Sequence, residues 1–122
     1  MRGPSVDTIV AISTAPGRGA VSLVRLSGPG VLHVLASVAP GLEIPPPARQ
    51  AVVATIADPD TGATLDRALV TFFPGPASYT GEDMVEISGH GGFLAPHLVL
   101  DACLQARARG AEAGELTRRA YL

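Results

Sequence analysis

The chain has 122 residues, 47% hydrophobic and 16% charged, with a formal net charge of −2, enough for one domain with a modest core and too apolar for a disordered segment. A slightly acidic balance without a basic run lacks the electrostatic footprint of a stand-alone nucleic-acid binder, so any RNA role needs another domain or partner. The single cysteine, Cys103, excludes internal disulfides and cysteine-rich zinc sites. No apolar run approaches the roughly 20 residues that span a bilayer, and no apolar segment of signal-peptide type follows Met1, so a cytoplasmic protein without a membrane role is expected.

In chain order, residues 8–13 are β-branched and apolar and 20–26 are apolar on both faces, so both are predicted strands, the second central in its sheet. Between them Ala15-Pro16-Gly17-Arg18-Gly19 is a turn-rich loop. Ser27-Gly28-Pro29 opens a helix, with Ser27 or Gly28 as cap, and Val31, Val34, Leu35 and Val38 fall on one face of it. Ala39-Pro40-Gly41 stops that helix, and Ile44-Pro45-Pro46-Pro47-Ala48 is extended. Strands follow over 51–57 and 65–73, joined by the hairpin signal Asp58-Pro59-Asp60-Thr61-Gly62, and then over 82–88.

A second helix starts between 92 and 95 and runs to about 109, with Pro96 in its first turn. Phe93, Leu100, Cys103 and Leu104 make its main apolar face, and Leu94 and Leu98 form a second stripe that needs another surface to cover it. The predicted order β-β-α-β-β-β-α describes an α/β (α+β) fold, two helices on a mostly antiparallel sheet.

The most unusual backbone lies between Phe73 and Gly92. It combines a proline-glycine turn, a short strand with Glu86 at its middle, and the glycine-rich turn Gly89-His90-Gly91-Gly92 ahead of a helix. Glycines on both sides of one strand admit positive φ or the close approach of a ligand. Glu86 reads either as a solvated glutamate on an open sheet face, the commoner case for such spacing, or as a carboxylate aimed at a ligand. Arg25 ends a strand with Val21 and Leu23 on its own face, and reads equally as a snorkelling surface residue or a ligand clamp.

The glycine-rich turn serves the backbone or presents N–H groups to an anion. His90, His33, His97 and Cys103 have no recognisable metal-ligand spacing, so no metal site is expected. Glu82 and Asp83 are neighbours pointing to opposite faces of a strand, a poor acid/base dyad, and no nucleophile with its base is visible, so no catalytic residue is expected.

Three segments are similar, in order and spacing, to signatures of the tRNA-modification GTPases called MnmE or TrmE. The first runs through Asp7-Thr8-Ile9-Val10-Ala11, Ala15-Pro16-Gly17-Arg18-Gly19-Ala20-Val21 and Val24-Arg25-Leu26-Ser27-Gly28. The second is Phe73-Pro74-Gly75-Pro76, Tyr79-Thr80-Gly81-Glu82-Asp83 and Glu86 with Gly89-His90-Gly91-Gly92. The third is Gly114-Glu115-Leu116-Thr117-Arg118-Arg119-Ala120-Tyr121-Leu122, with Ala113 and Leu116 where the family usually has Pro and Phe.

The resemblance implies that residues 1–122 are an N-terminal folate-binding and dimerisation domain, followed in the family by a helical domain and an inserted GTPase domain. It implies a fold like half of the aminomethyltransferase-type tetrahydrofolate-binding fold, a homodimer, and a one-carbon tetrahydrofolate as cofactor. Arg25 and Glu86 are the implied cofactor-binding residues, with Gly89, His90, Gly91 and Gly92 beside them. A further folate-site lysine of the family pattern falls after Leu122. The implied activity is GTP hydrolysis in carboxymethylaminomethyl modification of the tRNA wobble uridine, together with an FAD-dependent partner (MnmG or GidA). GTP, magnesium and potassium would bind the GTPase domain, since this sequence has no Gly-x-x-x-x-Gly-Lys-[Ser/Thr] loop. Two other readings stay open at this level: a purely structural dimerisation domain of the same protein, and an independent small hydrolase using Glu86 or His90.

Overall fold

The computed structural model describes residues 7–13, 21–90 and 94–121. These form β1 (Ile9–Ile12), β2 (Val21–Ser27), α1 (Val31–Val38), β3 (Val52–Ala57), β4 (Thr64–Phe73), β5 (Met84–His90), α2 (Leu94–Gln105), β6 (Arg109–Gly110) and α3 (Glu115–Ala120). The strands make one six-stranded sheet in the order β3-β4-β5-β2-β1-β6. Every pairing is antiparallel except that of β1 with the two-residue β6. The fold is therefore α+β with a mostly antiparallel sheet and β2 in its interior, as the patterning indicates.

Alternation along the strands divides the sheet into two faces. Val24 and Leu26 of β2, Val85 and Ile87 of β5, Val70 and Phe72 of β4, and Ile56 of β3 are buried under the helices. α1 contributes Val31, Val34, Leu35 and Val38, the face its sequence spacing predicts. α2 lies beside it on β1 and β2. The opposite face of the sheet carries the candidate site.

Several element ends differ from the sequence expectation, each for a local reason. α1 begins at Val31 with Gly30 as its cap residue, not Ser27 or Gly28. Ser27 is the last residue of β2, and the Thr8 hydroxyl accepts the Gly30 N–H at 2.7 Å. Gly28 has φ 138°, and a Cβ there would lie 2.6 Å from both the Asp7 carbonyl oxygen and the Thr8 Cα, so only glycine fits this crossing.

α2 stops at Gln105 although Ala106, Arg107 and Ala108 are good helix formers. Arg107 turns left-handed at φ 82°, its N–H donates to the Leu104 carbonyl, and the Ala108 N–H donates to the Cys103 carbonyl. That is a Schellman ending with arginine where glycine is usual. It sends the chain back along β1, with the Arg109 N–H donating to the Thr8 carbonyl, and so creates β6 and the third helix that periodicity does not show. α2 buries Pro96, Val99, Ala102 and Cys103, while Leu94 and Leu104 are exposed and Leu98 and Leu100 are half-buried. Small side chains let the helix approach the sheet, so the larger leucines do not define its inner face. Pro96 is the third residue of α2, inside the first turn as required. Burial pushes the Cys103 thiol up to about 12, which makes it a core residue without reactivity.

α3 is fastened by charge. The Arg119 side chain is only 5% exposed. Its Nη1 donates to Glu82 Oε1 and to the Asp7 carbonyl at 3.0 Å each, and its Nη2 donates to Asp7 Oδ1 at 2.7 Å and to Glu115 Oε2 at 3.2 Å. Arg109 forks onto the same Glu115 carboxylate at 2.6 and 3.1 Å and also pairs with Asp7. Ser27 ties the cluster to the sheet by donating to Glu82 Oε1 at 2.7 Å. Hydrogen bonds from Arg109 hold both the Asp7 and the Glu115 carboxyls down at about 2. The Arg119 guanidinium is raised: burial works against its charge, but the bonds from Glu82 and Asp7 outweigh it.

Removing one member of a buried ion cluster strands the others. Arg119→Met is therefore expected to cost about 3 kcal/mol and to release α3 first, seen as faster amide exchange in 115–120 than in the sheet. The two carboxyls fold with values near 2, below their usual 3.8 and 4.5. Their contribution is thus complete above the unfolded values and is lost as pH falls through about 2. Urea midpoints should be flat from neutral pH down to about 4.5 and drop below it, and a flat profile down to the acid limit would contradict this.

Candidate ligand-binding site

The open face of the sheet is ordered in rows by strand register. Ala11, Arg25, Glu86 and Thr71 lie side by side across β1, β2, β5 and β4. One row further along come Leu23, Ser88, Leu69 and Val53. Val21 and His90 pair beyond them, with Arg67 nearby on β4. Val21, Val53 and Leu69 are exposed, so this face carries apolar surface as well as charge.

The Arg25 Nε donates to Glu86 Oε2 at 3.0 Å, and both side chains are about 30% exposed, at 31% and 27%. The structure thus brings together two residues that sequence spacing could only consider separately. Arg25 lies within β2 and not at its end, because the strand runs on through Leu26 and Ser27. Glu86 occupies the third position of β5, with its core-facing neighbours Val85 and Ile87 fully buried.

Over Arg25 stands Tyr79, with the guanidinium carbon 5.8 Å from the ring centroid, within cation–π range. Tyr79 belongs to the proline-glycine segment 74–83, which is pinned at several points. Asp83 Oδ1 accepts the Gly75 N–H at 2.8 Å, and the Asp83 carbonyl accepts the Gly28 N–H at 3.0 Å. Thr80 shares a 2.7 Å hydrogen bond with Ser27, and the Tyr79 hydroxyl donates to Thr117 of α3 at 3.1 Å. A Cβ on Gly75 would come within 2.6 Å of the Gly81 carbonyl oxygen, so the turn closes only around glycine. Sequence reasoning singled out this segment but not its aromatic residue; an aromatic in a rigid turn facing an arginine is the signal that pairing across the sheet makes meaningful.

Arg25 and Tyr79 line one side of an open cleft of about 470 Å³, with Ala11 and Ile12 of β1 as floor and Glu112 and Leu116 on the far wall. That volume suits a small ligand. The far wall belongs to the segment that the Arg109 and Arg119 cluster holds in place.

Glu82 and Asp83 precede β5 instead of opening it, and their side chains are engaged separately, Glu82 with Ser27 and Arg119 and Asp83 with the Gly75 amide. Gly89 and His90 end β5 and are not part of a turn. The His90 N–H donates to Asp66 Oδ2 at 3.1 Å, so this amide is already satisfied. Gly89 permits that approach: a Cβ there would stand 2.3 Å from Asp66 Oδ2. Gly91 and Gly92, and with them the remainder of the expected anion-binding turn, lie outside the described residues, as do Arg18 and Phe93. Among the described residues no cluster of histidine, cysteine and acidic side chains could hold a metal ion, and no helix is long and apolar enough to cross a membrane.

Comparison with known proteins gives this geometry a context. The family model described as GTP-binding protein TrmE N-terminus matches residues 8–122. The chain is 49% identical over 118 residues to the tRNA modification GTPase MnmE of Ralstonia nicotianae, a match covering 93% of this chain and 24% of the relative. To the proteins of the same name from Azoarcus sp. and Levilactobacillus brevis it is 48% and 44% identical, over 95% of this chain and 25% of each relative. The chain therefore spans about a quarter of the length of the curated relatives it matches. With the family model covering all but the first seven residues, the chain belongs to the TrmE N-terminal family, the N-terminal domain of the tRNA modification GTPases MnmE.

Proposed function

We propose that this domain, residues 1–122, is the folate-binding and dimerisation module of a tRNA modification GTPase. It holds a one-carbon tetrahydrofolate for carboxymethylaminomethyl modification of the tRNA wobble uridine, in concert with an FAD-dependent MnmG/GidA partner. The observation that carries the reading is the half-buried Arg25–Glu86 pair beside the Tyr79 cleft. A pterin edge offers adjacent N–H donors, and a carboxylate fixed on a rigid strand is the acceptor such an edge requires. Arg25 engages only Glu86 Oε2, and among the described residues Oε1 has no partner, so the carboxylate retains accepting capacity. Tyr79 and the guanidinium supply flat surfaces against which a pterin ring stacks. The bound folate would supply the one-carbon unit; the residues of this chain bind and orient it.

The same reading assigns GTP, magnesium and potassium to another domain of the full protein. This chain contains no lysine at all, and hence no phosphate loop of the Gly-x-x-x-x-Gly-Lys-[Ser/Thr] type. Dimerisation is supported by the exposed apolar side chains Val21, Val53 and Leu69 on the open face and Leu94 on α2, which a second copy could cover. A purely structural dimerisation role is the alternative that these residues equally favour.

Calorimetric titration with tetrahydrofolate separates the two. Binding is expected for the unmodified chain, and Glu86→Ala should weaken it by about 1.5–3 kcal/mol, the value of a hydrogen bond to a charged group. Equal affinity of both proteins would remove Glu86 from the site. Sedimentation across a concentration series should show a two-fold homodimer, and a monomer at every concentration up to millimolar would exclude self-pairing of this domain alone.

A further inference from the structure

α3 differs from the other two helices in what it buries. α1 buries three valines and Leu35, and α2 buries Val99, Ala102 and Cys103, whereas the buried side chains of α3 are Glu115 and Arg119. Its apolar residues Leu116 and Ala120 are only half-buried, and Leu116 lines the open cleft. Six residues form no stable helix alone, and the hydrophobic burial that fastens α1 and α2 adds little here. Ions hold α3 instead: Arg119 pairs with Asp7 and Glu82, and Glu115 with Arg109. None of Asp7, Glu82, Arg109 and Arg119 lines the cleft. The chain enters α3 through Gly114, left-handed at φ 76°, where an added Cβ would meet nothing within 4 Å. Backbone conformation and not space requires this glycine, and the helix can pivot there without collision. On the cleft side, the hydrogen bond from the Tyr79 hydroxyl to Thr117 spans the gap between the proline-glycine segment and α3.

We propose that α3 is a strap whose closure is coupled to occupancy of the cleft, with Arg119 as the positioning residue that sets how readily it opens. A ligand lying between Tyr79 and Leu116 holds α3 in place, and α3, once freed from its ion cluster, lets that ligand go. The inference rests on the folate reading above for the identity of the ligand. What supports it is the separation of roles within α3: its charged side chains engage the cluster, and its one large apolar side chain lines the cleft. A flat ring system against Leu116 supplies the apolar burial that α3 lacks. A ligand that binds the closed form and not the open one stabilises the closed form by mass action, and the coupling is reciprocal, so loosening α3 weakens the ligand. Arg119 acts on the ligand through α3 alone, since its guanidinium is turned to Asp7, Glu82 and Glu115.

The test is amide hydrogen exchange on the full chain, with and without tetrahydrofolate, beside calorimetry of the same samples. In the unmodified protein, ligand at about 100 times its Kd should slow exchange in residues 115–120 by up to about a hundredfold. Arg119→Met should exchange there without protection, regain protection when tetrahydrofolate is added, and bind it about tenfold more weakly, because only the closed fraction binds. Recovery of protection on adding ligand is a result that a merely structural role for Arg119 would not give. Where Arg119→Met fails to fold, Gly114→Ala serves in its place: it strains the left-handed entry to α3, touches neither cleft nor cluster, and should speed exchange in 115–120 about tenfold, an effect that tetrahydrofolate reverses. Binding of tetrahydrofolate to the unmodified chain with unchanged exchange in 115–120, or no recovery of protection in either variant, overturns the inference and leaves the folate reading standing. Failure of the folded, unmodified chain to bind tetrahydrofolate overturns the folate reading, and this inference with it.

Discussion

The register between β2 and β5 is the constraint on which the rest depends. Seven consecutive pairs, from Val21 with His90 to Ser27 with Met84, join the two strands at the middle of the sheet. Val24 and Leu26 face α1 and α2 together with Val85 and Ile87, and that burial determines the register. A slip of one residue in β2 would drive Arg25 into the core and turn Val24 and Leu26 to solvent, and a slip in β5 would do the same to Glu86, Val85 and Ile87. The position of the Arg25–Glu86 pair is thus a by-product of hydrophobic packing on the opposite face, and its precision needs no separate device.

Around this frame, charge does what packing cannot do for a short terminal helix. α3 has six residues, too few to be stable on its own. It is secured by Arg119, which reaches from α3 to Asp7 ahead of β1 and to Glu82 ahead of β5. The same Glu82 is bonded to Ser27 at the end of β2. One ion cluster therefore connects three distant parts of the sequence, and the wall of the cleft stands on it. Tyr79 is tied to its own turn and, through a hydrogen bond from its hydroxyl to Thr117, to α3, so the cluster that fastens α3 also helps to place the aromatic surface over Arg25.

The glycines of the signatures divide into those that let backbones cross and those that make room for a side chain. Gly28 and Gly75 allow chain crossings that any Cβ would obstruct. Gly89 instead makes space for the Asp66 carboxylate, which belongs to a part of the sequence with no motif of its own. That difference explains why Gly89 and His90, read as the opening of a turn, form instead a strand end and a contact with a buried carboxylate.

Much of this protein is determined by local pattern alone. The apolar run that becomes β2, the strands β3 and β4, the face of α1, and the Asp58–Gly62 hairpin all follow from residue pattern and turn chemistry, which act over a few residues. The family is legible for the same reason, since its signatures are contiguous. What only the tertiary structure decided are contacts between residues far apart in the chain: Arg25 with Glu86, Asp66 with His90, Asp7 with Arg119, and Tyr79 over Arg25. The end of α2 and the existence of β6 belong to this second class, because helix propensity favours continuing through Arg107. There the free backbone of β1 offers hydrogen bonds to Arg109 and Ala111 that outweigh one more helical turn, a competition that no window of local sequence contains.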